Sequence, residues 1–518
     1  MYKNDKLLIG KSNDKELSIL LNKANRHGFI FGASGSGKTV TSKVMAESFS
    51  DAGVPVFLAD VKGDLAGTAL QGEVNASLDE RLDKLGIEDF EYKAFPVRFW
   101  DLFGIHGHPI RTTLDSVGPE ILSIMLGLSE VQEGVLTVIF KIAKDHEWEL
   151  DDIKDLRLLL QYVGDNREKF ITEYGNVTQQ SVGVIQRCLL ALENQGAGKF
   201  FGRPELDIND FIGTDANGKG IINILHAVEL FESPDLFASF LLWLLTTLYN
   251  KMPEVGDLDK PKVVFFFDEA HLLFNGMPEY RLKRIVQVVK LIRSRGIGLY
   301  FISQSPADIP AEIIAQLGNR VQHTLRAYTP TELKAVKVAA DSLRPNPEFD
   351  TYKGILSLGT GEAIISFQNE NGEPEVVQKA TILPPQSKMG VIDEISRNKI
   401  INSSSIVDKY PQEMEERDSA YEDLNLLIKQ KYEEQEAEKQ AKQEENQRQL
   451  EAKEAEKQAK LEEKAKKEAE REAEKKKREE EKKKKNSIEY KLGRKVFNSA
   501  SNKVINKGLN AIFKNFFK

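Results

Sequence analysis

A chain of 518 residues, 41% of them hydrophobic, has room for about two to four domains, and its first four hundred residues carry enough apolar sequence for a large core. The formal net charge of −8 is mild for that length and excludes a protein that coats nucleic acid by bulk charge, though a local basic groove remains open. The single cysteine, Cys188, excludes a disulfide scaffold and fits a reducing, cytoplasmic compartment; its place in the apolar-periodic stretch Val182–Leu192 predicts a buried, unreactive thiol.

Met1–Gly10 lacks the apolar run and small-residue cleavage site of an export signal. From about Arg26 onward, short β-rich runs alternate with helical patterns. Gly28–Phe31, Val56–Ala59, Ile221–Leu225, Val263–Phe267 and Leu299–Ser303 all read as strands. Being apolar on both faces, they predict an α/β fold with a mostly parallel sheet covered by helices. Between Asp64 and Ile221 lies more chain than one crossover needs, with helical patterns at Pro119–Lys144 and Val177–Asn194, so a helical insertion is expected over 100–215. It divides an α/β core expected at 1–99 and 216–390. Leu236–Tyr249, the most apolar stretch, is too short to span a membrane and reads as a buried core helix.

After Pro384–Pro385 the composition turns polar, and 391–486 is expected to form a linker and a charged helix. From about Glu413 to Lys485 there is neither glycine nor proline. Glu438–Lys442, Glu456–Lys460, Glu462–Lys466 and Glu463–Lys467 have the four-residue spacing that supports an exposed helix, and EAEKQAK occurs at Glu436–Lys442 and again at Glu454–Lys460. An apolar seam is missing beyond Tyr432, Leu450 and Leu461, which favours a solvated single helix over a coiled coil. In 487–518, Leu492, Val496, Val504, Leu509, Ile512, Phe513, Phe516 and Phe517 recur at helical spacing among lysines and arginines. Such a basic amphipathic helix suits docking on the body of the protein or a partner protein, an anionic membrane surface, or nucleic acid.

The chemistry is concentrated in two motifs. Gly32-Ala33-Ser34-Gly35-Ser36-Gly37-Lys38-Thr39 fits G-x-x-x-x-G-K-[ST], follows the strand-like HGFIF and leads into a helical run through Val40. Its glycines let backbone N–H groups turn toward phosphates, Lys38 reaches the β/γ oxygens of ATP, and Thr39 places a hydroxyl on Mg2+. The strand KVVFFF then ends in Asp268 and Glu269, which are expected to hold the Mg2+ shell and to orient the attacking water, respectively. Gln304, after the next strand, is placed to sense the γ-phosphate. Between them, Tyr280–Gly296 reads as a helix whose end carries Arg293 and Arg295, either of which suits an arginine finger reaching an adjacent subunit. Asp60, Lys62 and Asp64 follow another strand and belong at the sheet's carboxyl edge. His106 and His108 flank a glycine without further ligand candidates nearby, so no structural zinc is expected.

This set of motifs resembles the HerA/FtsK superfamily of RecA-like P-loop ATPases, and within it the HerA-like branch typified by YjgR. The resemblance runs over about residues 5–390, through HGFIFGASGSGKT, FLADVKGDLAG, PVRFWDLFGIHGHPIRTT, LSEVQEGVL, YGNVTQQSVGVIQR, PKVVFFFDEAHLLF, LIRSRGIGLYFISQSPADIP, QLGNRVQHTLRAYTP and RPNPEFDT. It implies the same roles for Lys38, Thr39, Asp268, Glu269 and Gln304, a finger at Arg293 or Arg295, and a homo-oligomeric ring, a hexamer, acting on DNA as a translocase or helicase. The P-loop starts at Gly32, which leaves no room before it for the β-barrel of HerA proper, so that family's nuclease partnership is not expected.

Overall fold

The computed structural model describes residues 1–13, 15–274 and 279–486; the basic helix expected at 487–518 lies outside them. The chain divides into two compact units, the first Met1–Leu426 and the second starting at Leu427.

The first unit is built on one sheet. Its strands in chain order are β1 (Tyr2–Lys3), β2 (Lys6–Ser12), β3 (Lys15–Leu20), β4 (Gly28–Phe31), β5 (Val56–Asp60), β6 (Val97–Asp101) and β7 (His108–Pro109). Then follow β8 (Ile222–His226), β9 (Val263–Phe267), β10 (Ile297–Ser303), β11 (Asn319–Gln322), β12 (Glu362–Ser366) and β13 (Gln378–Ile382). The sheet order is β1-β2-β13-β12-β11-β4-β10-β9-β5-β8-β6-β7, with β3 paired to β2. From β11 to β7 neighbouring strands run parallel; from β11 to β1 they are antiparallel. Every expected strand is present, and the antiparallel wing adds strands whose apolar residues are flanked by polar ones, such as KLLIGKS in β2 and QKATI in β13.

Side chains alternate across the sheet into two cores. Phe29, Phe31, Phe57, Phe265 and Phe267 point to one face and share a core with the helix Pro234–Lys251. Ile30, Leu58, Val264 and Phe266 point to the other, against Val44, Met45 and Phe49 of the helix Lys38–Asp51. Burial on both faces is what lets these strands be apolar without alternation. The Leu236–Tyr249 stretch lies within a helix buried along most of its length.

Two expectations need correction. The pattern at Pro119–Lys144 is two helices, Leu114–Met125 and Glu130–Asp145. Gly127 (φ 65°) turns the chain between them, and Gly118 (φ 73°) kinks the first; a side chain would be strained at either. Cys188 is half-buried rather than buried, packed at the margin of the core.

The polar stretch after Pro385 is strapped to the first unit. Tyr410 stacks edge-on against Trp100 at 5.4 Å and accepts from the Asp207 N–H at 3.0 Å. Arg111 donates to the Pro411 carbonyl at 2.9 Å, and the Ser419 hydroxyl to Asp155 at 2.6 Å. The helix Ala420–Asn486 follows, 67 residues long and therefore about 100 Å at 1.5 Å per residue. In the second unit it exposes Tyr432, Leu450 and Leu461, and it forms the expected pairs Glu456–Lys460 at 2.6 Å and Glu463–Lys467 at 2.7 Å. Among the described residues no helix is long and apolar enough to cross a membrane.

Candidate functional site

Strand order brings the motifs together. β10 pairs in parallel with β4 on one side and β9 on the other, with Ser303 opposite Phe31 and Phe301 opposite Phe267. The three strands therefore end at one carboxyl edge, carrying Gly32–Thr39, Asp268–Glu269 and Gln304.

The loop after β4 turns through Gly35 (φ 74°) and Gly37 (φ 115°), and Gly37 caps the helix Lys38–Asp51. Ser34 and Gly35 are exposed, and a Cβ built on Gly35 meets nothing within 4 Å, so the mouth of the loop is open. The Lys38 ammonium folds back onto the Gly32 carbonyl at 2.6 Å and that of Ala33 at 3.3 Å. Burial lowers its pKa, while Asp268 and Glu269 raise it in opposition. Ser36 is 2% exposed, and its hydroxyl finds no hydrogen-bond partner among the described residues. Thr39 is half-buried at the first turn, and Val40 packs beside the second core.

At the end of β9, Asp268 accepts from the Glu269 N–H at 2.9 Å. Burial and the adjacent Glu269 push the Asp268 carboxyl up to about 7, against the pull of Lys62 and Lys38. Glu269, 9% exposed, sits in the left-handed region (φ 48°, ψ 43°), with its carboxylate 3.3 Å from His271 Nδ1. Gln304 is exposed, and the turn after it is tied by Asp308, which accepts from the Ser303 hydroxyl at 2.8 Å. At the end of β5, burial and Asp64 push Asp60 up to about 6.

This donor set fits a nucleotide with Mg2+. Thr39 and Asp268 are hard oxygen ligands of the kind Mg2+ takes, Lys38 is a cation held by nothing stronger than carbonyls, and the unpartnered Ser36 hydroxyl lies in a loop open to solvent.

The arginines are elsewhere. The helix Glu279–Ile292 passes into the turn Arg293–Arg295 just before β10 begins, at the amino edge of the sheet. The seven residues of β10 put about 20 Å between them and Gln304. Arg295 donates to the Met252 carbonyl, lies over the Tyr249 ring at 4.5 Å and is 16% exposed. Arg293 lies 3.6 Å from Asp257 and is 37% exposed.

His323 is a site residue that motif reading misses. It follows β11, is fully buried, and hydrogen-bonds through Nε2 with the Thr41 hydroxyl at 2.9 Å and through Nδ1 with the Glu362 carbonyl at 2.9 Å. A carbonyl can only accept, so Nδ1 carries the ring proton and donates to it, and Nε2 accepts from the Thr41 hydroxyl. Burial holds the imidazole neutral, its pKa lowered to about 4. With Ala33 N–H on the Thr324 carbonyl (2.9 Å) and Gly361 N–H on the Ser36 carbonyl (3.1 Å), it braces the loop from the antiparallel wing.

The helicase HerA-like C-terminal family matches this chain over residues 5–513. The DNA double-strand break repair helicase HerA of Sulfolobus acidocaldarius is 24% identical over 363 residues, covering 69% of this chain and 66% of that protein, just under two thirds of its length. A solved structure of the plasmid coupling protein TrwB with a non-hydrolysable ATP analogue aligns with a TM-score of 0.48 at 13% identity, covering 76% of this chain and 92% of that one. VirB4 of Thermoanaerobacter pseudethanolicus aligns with a TM-score of 0.47 at 15% identity, covering 74% and 97%. Both are distant likenesses, from which no residue role follows. The extent of the family match, with the P-loop and carboxylate strands in place, decides the assignment: the chain belongs to the helicase HerA-like C-terminal family, a helicase-like branch of the P-loop ATPases.

Proposed function

We propose that this protein is a Mg2+-dependent ATP-hydrolysing motor that works as a homo-oligomeric ring, a hexamer, and moves or unwinds DNA in the cytoplasm. The observation that carries the reading is the convergence of Gly32–Thr39, Asp268–Glu269 and Gln304 at one edge of three adjacent strands. Lys38 exchanges the Gly32 and Ala33 carbonyls for the β/γ oxygens, and the backbone N–H groups of the loop take the remaining phosphate oxygens. Thr39 and Asp268 hold the metal shell. Mg2+ neutralises charge on the β- and γ-oxygens when bound. Glu269 orients and polarises the attacking water, and Gln304 donates to the γ-phosphate until it leaves. Of the two arginines, Arg293 is the finger for a neighbouring subunit, because Arg295 is committed within its own chain. The helices between 100 and 215 form an insertion in the core, divided as 1–99 and 216–390, and 391–486 serves as strap and spacer.

A second reading, a nucleotide-switched interaction protein, is favoured by the long solvated helix, which offers a spacer toward a protein or membrane partner. Steady-state hydrolysis by wild type and Glu269→Gln, with and without single- and double-stranded DNA, separates the two. The motor reading expects a loss of roughly 10²–10⁴-fold in the variant. It also expects a DNA-stimulated wild-type rate that falls with salt. Hydrolysis that needs Glu269 but ignores every form of DNA removes the translocase reading and leaves the switch.

A further inference from the structure

A second cluster of ligating side chains lies at the carboxyl edge, away from the nucleotide site. His226 ends β8, in register with Asp60 of β5 on one side and Asp101 of β6 on the other. Glu229 stands one turn further on, in the helix Val228–Phe231. His106 comes from the loop between β6 and β7, which folds over a single carboxylate: Asp101 accepts from the backbone N–H groups of Phe103 (2.9 Å), Ile105 (2.9 Å) and His106 (2.8 Å). Gly107 backs this loop against Trp100, where a Cβ would lie 2.5 Å from the Trp100 carbonyl carbon.

His226 Nε2 is 3.0 Å from one Glu229 oxygen, and His106 Nε2 is 3.7 Å from the other. The two imidazoles lie 4.4 Å apart, and one ligand atom from each of the three residues falls within 4.8 Å of the others. We propose that His106, His226 and Glu229 bind one divalent transition-metal ion of the Zn2+ class, with Glu394 orienting His106.

Zinc bonds of about 2.0–2.2 Å in a tetrahedron set ligand atoms about 3.4 Å apart, and the three ligand atoms, all within 4.8 Å of one another, need only a small closure to reach that spacing. Two imidazoles with one carboxylate select a borderline ion over Mg2+ or Ca2+, which take oxygen. Glu394, at the first turn of the helix Glu394–Asn402, stands 3.6 Å from His106 Nδ1, where a small rotation gives the carboxylate–histidine pair that orients metal ligands. Reading these histidines as structural hydrogen-bond groups fits less well, because His106 Nδ1 and His226 Nδ1 are both buried without a hydrogen-bond partner among the described residues. Three protein ligands leave a fourth position for water. The ion ties the β6–β7 loop and the strap helix to β8, beside the loop of Gly63, whose Cβ would lie 3.7 Å from Val228. The sequence pointed to no zinc because His106 was weighed only with His108; His226 and Glu229, three residues apart, lie 120 positions further along the chain.

The test is Zn2+ titration by calorimetry of the full-length protein after chelator treatment and without nucleotide, with Co2+ absorption as a second readout. One ion per chain is expected, lost in His226→Ala and weakened 10–100-fold in the exposed-side variant Glu394→Gln. Tetrahedral Co2+ bands should appear in wild type and vanish in Glu229→Gln, whose exposed side chain can change without disturbing the fold. The proposal is overturned if wild type takes up no ion at this stoichiometry, or if Glu229→Gln and Glu394→Gln both bind as wild type does. Binding that persists in His226→Ala and vanishes in Asp268→Asn places the ion at the nucleotide site and overturns it equally.

Discussion

Replacing His323 with leucine tests whether the antiparallel wing holds the P-loop. The imidazole satisfies two buried groups, the Thr41 hydroxyl and the Glu362 carbonyl, each at 2.9 Å. Leucine fills much of the volume and satisfies neither. An orphaned buried polar group costs about 1–3 kcal/mol, and the Thr41 hydroxyl has a partial fallback on a carbonyl of its own helix, so the loss should be about 2–4 kcal/mol. Thr41→Val in the same background removes one of the orphans, and the double variant should recover about 1–2 kcal/mol of that loss. Urea unfolding of the nucleotide-free protein measures both, and binding of a fluorescent ATP analogue reports the loop, whose affinity should fall in His323→Leu. A cost below about 0.5 kcal/mol, or strict additivity of the two substitutions, refutes the bracing argument.

Two further outcomes follow from buried side chains. Arg295→Ala should lower stability by about 1–2 kcal/mol through loss of the Tyr249 and Met252 contacts, whereas Arg293→Ala should leave the melting temperature unchanged. If Arg293 acts on a neighbour, inactive Arg293→Ala chains mixed into wild type should depress the rate more than in proportion; a proportional loss argues against it. His27 is fully buried, accepts from the Leu299 N–H (3.0 Å) and pairs with the Val289 carbonyl (2.9 Å), and burial lowers its pKa from 6.5 to about 4. Below pH 6.5 the unfolded chain takes the proton and the folded chain does not, so stability is present above that pH and is lost as pH falls toward 4, by roughly 3 kcal/mol. Asp60 and Asp268, both raised, act in the opposite direction over the same range. Their effect is common to wild type and His27→Gln, so the variant's stability should fall less steeply with acid; parallel slopes in urea unfolding would show that His27 does not titrate this way.

How much was legible follows from where the information resides. β4, β5, β8, β9 and β10 were readable because burial on both faces makes a strand continuously apolar. β11, with the sequence NRVQ, and β13, with QKATI, carry polar residues among the apolar ones and declare themselves only through their partners. The P-loop and Asp268–Glu269 stand out in the sequence as candidates because phosphate and metal chemistry fixes residue types at short spacing. His323 was not, since its contact with Thr41 spans 282 positions, nor was the grouping of His106 with His226 and Glu229. That Arg295 packs on the Tyr249 ring is likewise something no spacing along the helix reveals.

The backbone at Glu269 links geometry to function most directly. β4 and β9 are separated by β10, so two strand spacings of about 4.8 Å set the P-loop and the carboxylates about 10 Å apart, room for a phosphate chain with its metal and water between them. To face that gap, the chain leaves β9 in the left-handed region at Glu269 (φ 48°), which costs a side-chain-bearing residue roughly 1–2 kcal/mol. An ordinary position loses stability when alanine becomes glycine; this one should gain. Glu269→Gly and Glu269→Ala should both abolish hydrolysis, while the glycine variant unfolds at higher urea by about 1 kcal/mol relative to the alanine. The opposite order would mean that the turn is relaxed in solution and that Glu269 is not held there against its backbone preference.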